Sequence, residues 1–157
     1  MKLSYCNIFL ICVLVYLLIY GIVTQIRENL ELQDDPKLDQ LKDKLKPLFA
    51  RKDFTGVLEP LNNRNLLSEI GLYKGDKSYT INKSKTFMCL YDEKGQYYND
   101  NILLYVLIHE YCHSINITIG HDENFNNIFD ALLAEAISMN IYNPSIPVPQ
   151  NYCTYND

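Results

Sequence analysis

The side chains best suited to chemistry lie in Ile108-His109-Glu110-Tyr111-Cys112-His113. On a helix, residues four apart share a face, so His109 and His113 can aim both imidazoles at one metal ion. Glu110 falls one position on, within reach of a water bound to that ion. Two imidazole ligands and a neighbouring carboxylate base are the parts that zinc-assisted hydrolysis needs. The chain has three histidines in all, and the third, His121, lies eight residues after the second. Every imidazole is therefore gathered into one short segment.

A catalytic zinc takes three protein ligands and leaves a position open for water. Two residues compete for the third place. His121 follows the turn that closes the motif helix, so the chain can fold back and present it. Glu135 lies on the next helix, in Ala134-Glu135-Ala136-Ile137-Ser138, where a carboxylate could serve as ligand, as a partner to a ligand imidazole, or simply as a surface charge. Cys112 falls on a different side from the histidine pair and reads as a small buried hydrophobe.

The elements around the motif follow from its neighbours. Asp100 is a cap for a strongly apolar helix, Asp100 to Ile117, that carries the motif. Gly120 breaks the pattern, and Asp122 caps a helix over Glu123 to Asn140 with Phe125, Ile128, Phe129, Leu132, Leu133, Ala136 and Ile137 on one face. Upstream, Ser78 to Asn82 and Thr86 to Tyr91 read as two strands joined by Lys83-Ser84-Lys85. Leu66 to Leu72 is a short helix ending near Gly71, and Phe54 to Asn65 is irregular. Asp35-Pro36 starts a helix striped by Leu38, Leu41, Leu45 and Leu48, bent or ended by Pro47. Pro144, Pro147 and Pro149 make the tail extended.

The N-terminus is different. Leu3 to Ile26 has no charged side chain and, at about 1.5 Å per residue, reaches about 36 Å as a helix, enough to cross a bilayer. It is flanked by Lys2 and Arg27, with Tyr5 and Tyr20 placed for the interfaces. A cleaved signal peptide is the other reading, but the run is long for one and no small-x-small site closes it. Residues 1–26 are thus expected to anchor the chain, 27–35 to tether it, and 36–157 to form one domain. Arg27, Lys37, Lys42, Lys44 and Lys46 follow the span, which favours the domain on the cytoplasmic or virion-interior side. Cys89, Cys112 and Cys153 are an odd number without a CxxC pair, and a thiol within the motif suits a reducing compartment. The sequons at Asn82 and Asn116 lean the same way, since a glycan on Asn116 would block the site. A net charge of −5 excludes a nucleic-acid-binding surface.

The segment His109-Glu110-x-x-His113 followed by His121-Asp122-x-x-Phe125 resembles the WLM and SprT-like zinc metalloproteases. The resemblance spans about Leu66 to Asn140. It implies an α+β, zincin-type domain in which a hairpin or small sheet packs on the motif helix and a following helix. It implies His121 as third ligand with His109 and His113, Glu110 as general base, Zn2+ as cofactor, and Phe125 packed under the site. The longer metzincin pattern does not fit, since it requires Gly at Asn116 and His at Ile119. The expected activity is peptide hydrolysis, with an extended peptide or protein substrate added to the edge of the Thr86 to Leu90 strand. The alternative is a non-catalytic membrane or virion protein with a structural zinc. The richness in Asn, Tyr, Ile and Lys suits a viral, A/T-rich genome.

Overall fold

The computed structural model describes residues 5–31 and 35–153. The expectations resting on Lys2, Leu3 and positions 32–34 lie outside these residues, as do those on the side chains of Tyr5, Cys6 and Arg27. The chain forms two units, one ending at Asp34 and one beginning at Asp35. The first is a single helix, α1, Tyr5–Glu31. Its stretch Phe9–Ile26 is long and apolar enough to cross a membrane. The backbone of Arg27–Glu31, expected to be tether, continues that helix.

The second unit is α+β. Helix α2, Pro36–Phe49, starts as its sequence requires, with Asp35 accepting from the Lys37 N–H at 3.0 Å and Pro36 in the first turn. Pro47 sits inside α2 without ending it. The stripe Leu38, Leu41, Leu45 and Leu48 is buried, each side chain contributing about 1.5–3 kcal/mol relative to exposure. Gly56–Asn63, expected to be irregular, is a 3-10 helix that buries Leu58 and Leu61. A single turn, α3, covers Leu66–Glu69.

Three short strands follow, β1 Gly71–Lys74, β2 Tyr79–Ile81 and β3 Lys85–Met88, in the order β1-β3-β2. β1, which the sequence did not announce, pairs parallel with β3, and β2 pairs antiparallel with it. The expectation that the Thr86–Leu90 strand offers a free edge is therefore corrected: β3 is central, hydrogen-bonded on both sides, and β1 and β2 are the edges, of which β2 lines the cleft described below. The β2–β3 turn has the Ile81 carbonyl accepting from Ser84 N–H at 3.1 Å. Asn82 and Lys83 there have φ of 49° and 56°, which Asn tolerates better than Lys.

Helix α4, Asp100–Ile115, is capped by Asn99 rather than Asp100. The Asn99 side chain accepts from Asn101 N–H at 2.8 Å, freeing Asp100 to receive Lys37 and Lys44 of α2. Leu103, Leu104, Leu107, Ile108 and Tyr111 are all buried, so α4 is the central helix of the core. Helix α5, Glu123–Ser138, is capped by Asp122 as expected and packs on α4. The tail, expected to be extended, instead turns at Asn143–Ile146 and Pro149–Tyr152 and returns to the sheet, where Cys153 forms a disulfide with Cys89. Spacing alone could not pair these two, because 64 positions separate them.

Candidate metal centre and cleft

The last turns of α4 carry His109 and His113 on one face, their rings 5.1 Å apart. The chain then leaves the helix at Asn116, turns through Gly120 at φ 89°, and presents His121. His121 Nε2 lies 3.0 Å from His109 Nε2, and the rings of His113 and His121 are 4.8 Å apart. One nitrogen from each of the three imidazoles lies within 4.8 Å of the others. A tetrahedral ion with nitrogens at about 2.0–2.1 Å sets them about 3.3 Å apart, and the His109–His121 separation of 3.0 Å is close to that. Phe125 forms the floor, its ring 5.0, 4.5 and 4.7 Å from the rings of His109, His113 and His121.

The loop that delivers His121 is tied down by hydrogen bonds. Asn116 is buried. Its side-chain amide donates to Asp122 at 3.2 Å and its oxygen accepts from Asn124 at 2.6 Å and Thr118 at 3.2 Å. Lys83 Nζ donates to the Asn116 and Ile117 carbonyls at 2.7 and 2.5 Å. These contacts hold the strained β2–β3 turn against the loop after α4. Asn116 is also too enclosed to carry a glycan in the folded chain.

Glu110 points away from the core, towards β2. It is buried, and Thr80 Oγ1 donates to its Oε2 at 2.9 Å. Burial pushes the carboxyl up to about 7, with the Thr80 hydrogen bond acting against the rise. His109 is pushed down to about 4 by burial and then by the neighbouring His113 and His121. His113 is lowered by burial and by His121. The Cys112 thiol is raised by burial and by the Glu110 charge, so it stays a neutral hydrophobe.

A cleft of about 800 Å³ runs between β2 and the loop after α4. His109, Glu110, His113 and His121 line it together with Thr80, Lys83 and Ile119. The sequence-derived set is thus brought together, and Glu135 is not part of it. Its carboxylate is paired with Arg51 instead. Sequence reading missed Thr80, Lys83 and Asn116. Only the period-2 pattern of β2 hinted that Thr80 faces the helix, and nothing marked Lys83, whose role comes from a fold contact 33 positions away.

No known protein-family profile matches the chain. No solved structure is similar to it. It is 40% identical over 134 residues to Uncharacterized protein 136R of Invertebrate iridescent virus 6, which covers 78% of this chain and 75% of that protein. It is 39% identical over 100 residues to Uncharacterized protein 042R of Invertebrate iridescent virus 3, covering 63% of each. An uncharacterized protein of Acanthamoeba polyphaga mimivirus is 30% identical over 116 residues, covering 69% of this chain and 58% of that protein. With two fifths of the aligned positions shared over three quarters of the iridescent virus 6 protein, this chain belongs to the 136R family of viral proteins.

Proposed function

We propose that this chain is a zinc-dependent peptidase of the zincin type, anchored by α1. The observation that carries this is the meeting of three imidazoles and one buried carboxylate in an open cleft, although His121 is twelve positions from His109. His109, His113 and His121 would hold the ion. Three neutral imidazoles suit zinc far better than calcium or magnesium. A zinc ion there would supply Lewis acidity and a bound water of near-neutral pKa. Glu110 takes the proton of the attacking water and returns it to the leaving amine. An extended peptide lies along the β2 edge, with its scissile bond over the cleft. The likeness of His109-Glu110-x-x-His113 and His121 to WLM and SprT-like metalloproteases supports the same assignment.

A structural zinc is surrounded by four protein ligands and closed to solvent. Among the described residues the metal-binding group here has three donors, and His121 is exposed. That favours catalysis.

The disulfide changes the placement expected from the lysines. A Cys89–Cys153 bond belongs to an oxidising compartment. Lys37, Lys42 and Lys44 lie near enough to the span to pull the other way, and the disulfide is the observation on which this placement rests. The domain is accordingly placed on the exterior or lumenal side. Protease protection in microsomes tests this: the domain should be protected until detergent is added, and digestion of intact vesicles would restore the cytoplasmic placement.

The test of activity compares full-length wild type with Glu110→Gln, both in detergent and zinc-loaded, on a peptide library read by mass spectrometry. Wild type should cleave, and Glu110→Gln should bind zinc yet lose about 10²–10⁴-fold in rate, the usual share of a general base. If both bind zinc and neither cleaves any peptide, the chain is not a peptidase.

A further inference from the structure

We propose that Thr80 and Thr86 form a cross-strand hydroxyl pair that fixes the orientation of the Glu110 carboxylate, with Thr80 as a positioning residue for the cleft. The inference rests on the peptidase reading above. Thr80 and Thr86 are register partners across β2 and β3. Their hydroxyl oxygens are 2.9 Å apart. Thr80 Oγ1 lies 2.9 Å from Glu110 Oε2 and 3.1 Å from the Glu110 main-chain carbonyl. Thr86 has no exposed surface.

The donor count gives the arrangement its direction. A hydroxyl has one proton, and a carbonyl or an ionised carboxylate only accepts. With Glu110 ionised, its main-chain carbonyl and its Oε2 therefore share the single Thr80 proton, and the Thr80–Thr86 contact is donated by Thr86. Thr86, held in the interior by β3, orients Thr80, and Thr80 orients Glu110. One Glu110 oxygen is thereby committed to β2, leaving the carboxylate's other oxygen as the one free to meet a water in the cleft. A glutamate side chain has several rotatable bonds to fix, and β2 helps to do so from the strand along which the peptide is proposed to lie. Substrate binding on β2 and aim of the base are then coupled through one residue.

The variants are Thr80→Val, which keeps shape and strand preference but removes the hydroxyl, and Thr80→Ser, which keeps the hydroxyl. Each is made in the full-length chain and compared with wild type for zinc content, far-ultraviolet circular dichroism, and kcat and KM on a peptide that wild type cleaves. Thr80→Val should bind zinc as wild type and lower kcat by about 10–100-fold with KM within about twofold, the usual cost of losing a hydrogen bond that aims a reacting group. Thr80→Ser should recover kcat to within about fivefold of wild type. A folded, zinc-loaded Thr80→Val with kcat within threefold of wild type overturns the inference while leaving the peptidase intact. So does Thr80→Ser as impaired as Thr80→Val, because β-branching and not the hydroxyl would then matter. A wild type that cleaves nothing overturns both.

Discussion

Replacing His121 by Ala is the sharpest test of the metal centre, because Glu135 is the competing donor and the structure treats the two differently. His121 Nε2 is 3.0 Å from His109 Nε2, whereas Glu135 is paired with Arg51. Zinc binding of about 10–16 kcal/mol over four ligands puts about 3–4 kcal/mol on each. Losing one imidazole therefore weakens binding by about 10²–10³-fold. His121 is on an exposed loop rather than a helix, so part of its contribution is spent ordering that loop, and the lower end is expected. Glu135→Ala removes a half-exposed ion pair and should cost at most about 1 kcal/mol of stability with no change in zinc affinity. Competition with a fluorescent zinc chelator, on the full-length chain in detergent, measures both. Affinity in His121→Ala within threefold of wild type, or a loss in Glu135→Ala of 100-fold, would refute the three-imidazole centre.

Three other outcomes follow from the same geometry. Asn116→Ala removes the amide that ties Thr118, Asp122 and Asn124 together, and should cost about 10–100-fold in zinc affinity with His121 still present, by the same titration. The Cys89→Ser, Cys153→Ser double variant frees a closed loop of 64-residue separation; loop entropy puts the loss near 4 kcal/mol, read as a shift in urea midpoint. The pH dependence of the zinc-free chain carries two opposing contributions. His109 is lowered to about 4 in the fold, so its stabilisation is whole above about pH 6.5 and is lost as pH falls towards 4. Glu110 is raised to about 7, so its stabilisation is whole below about pH 4.5 and is lost as pH rises through 7. Glu110→Gln removes the second, and its urea midpoint should fall more steeply than wild type between pH 7 and 4.5; parallel slopes would show that Glu110 is not buried as described.

What the sequence made legible was whatever depends on neighbours in the chain. The α2 leucine stripe, the Asp35 and Asp122 caps, and the shared face of His109 and His113 are all set by spacings of a few residues, and the structure has each of them. The convergence of His121 was read too, because Gly120 and a short loop leave it few places to go. What failed depends on partners far apart. β1 exists because Gly71–Lys74 meets β3 across a crossover, and four residues have too little pattern to announce a strand. β3 is central for the same reason, so the edges of the sheet are β1 and β2. Cys89 finds Cys153 only because the tail folds back, where Tyr152 donates to the Cys89 carbonyl at 2.6 Å. Asn99 rather than Asp100 caps α4 because Lys37 and Lys44, more than fifty positions away, claim the Asp100 carboxylate.

Where the metal would do its work separates the two readings of this centre. A zinc staple stabilises a domain by tying elements that cannot bury themselves. Here α2, α4 and α5 already share a continuous core, and the tail is held by a disulfide. His109 and His113 sit on a helix whose other faces are buried without them. The part that a cation would order further is the end of the loop, from the nearly fully exposed Ile119 to His121, beyond the hydrogen bonds that hold Asn116 and Thr118. On the catalytic reading, removing zinc should therefore loosen that loop, seen as faster amide exchange there, and leave exchange in the α4 core unchanged. A staple would release the core as well. The position of the three imidazoles, at the rim of a cleft rather than between the helices, is what a site built to face a substrate requires.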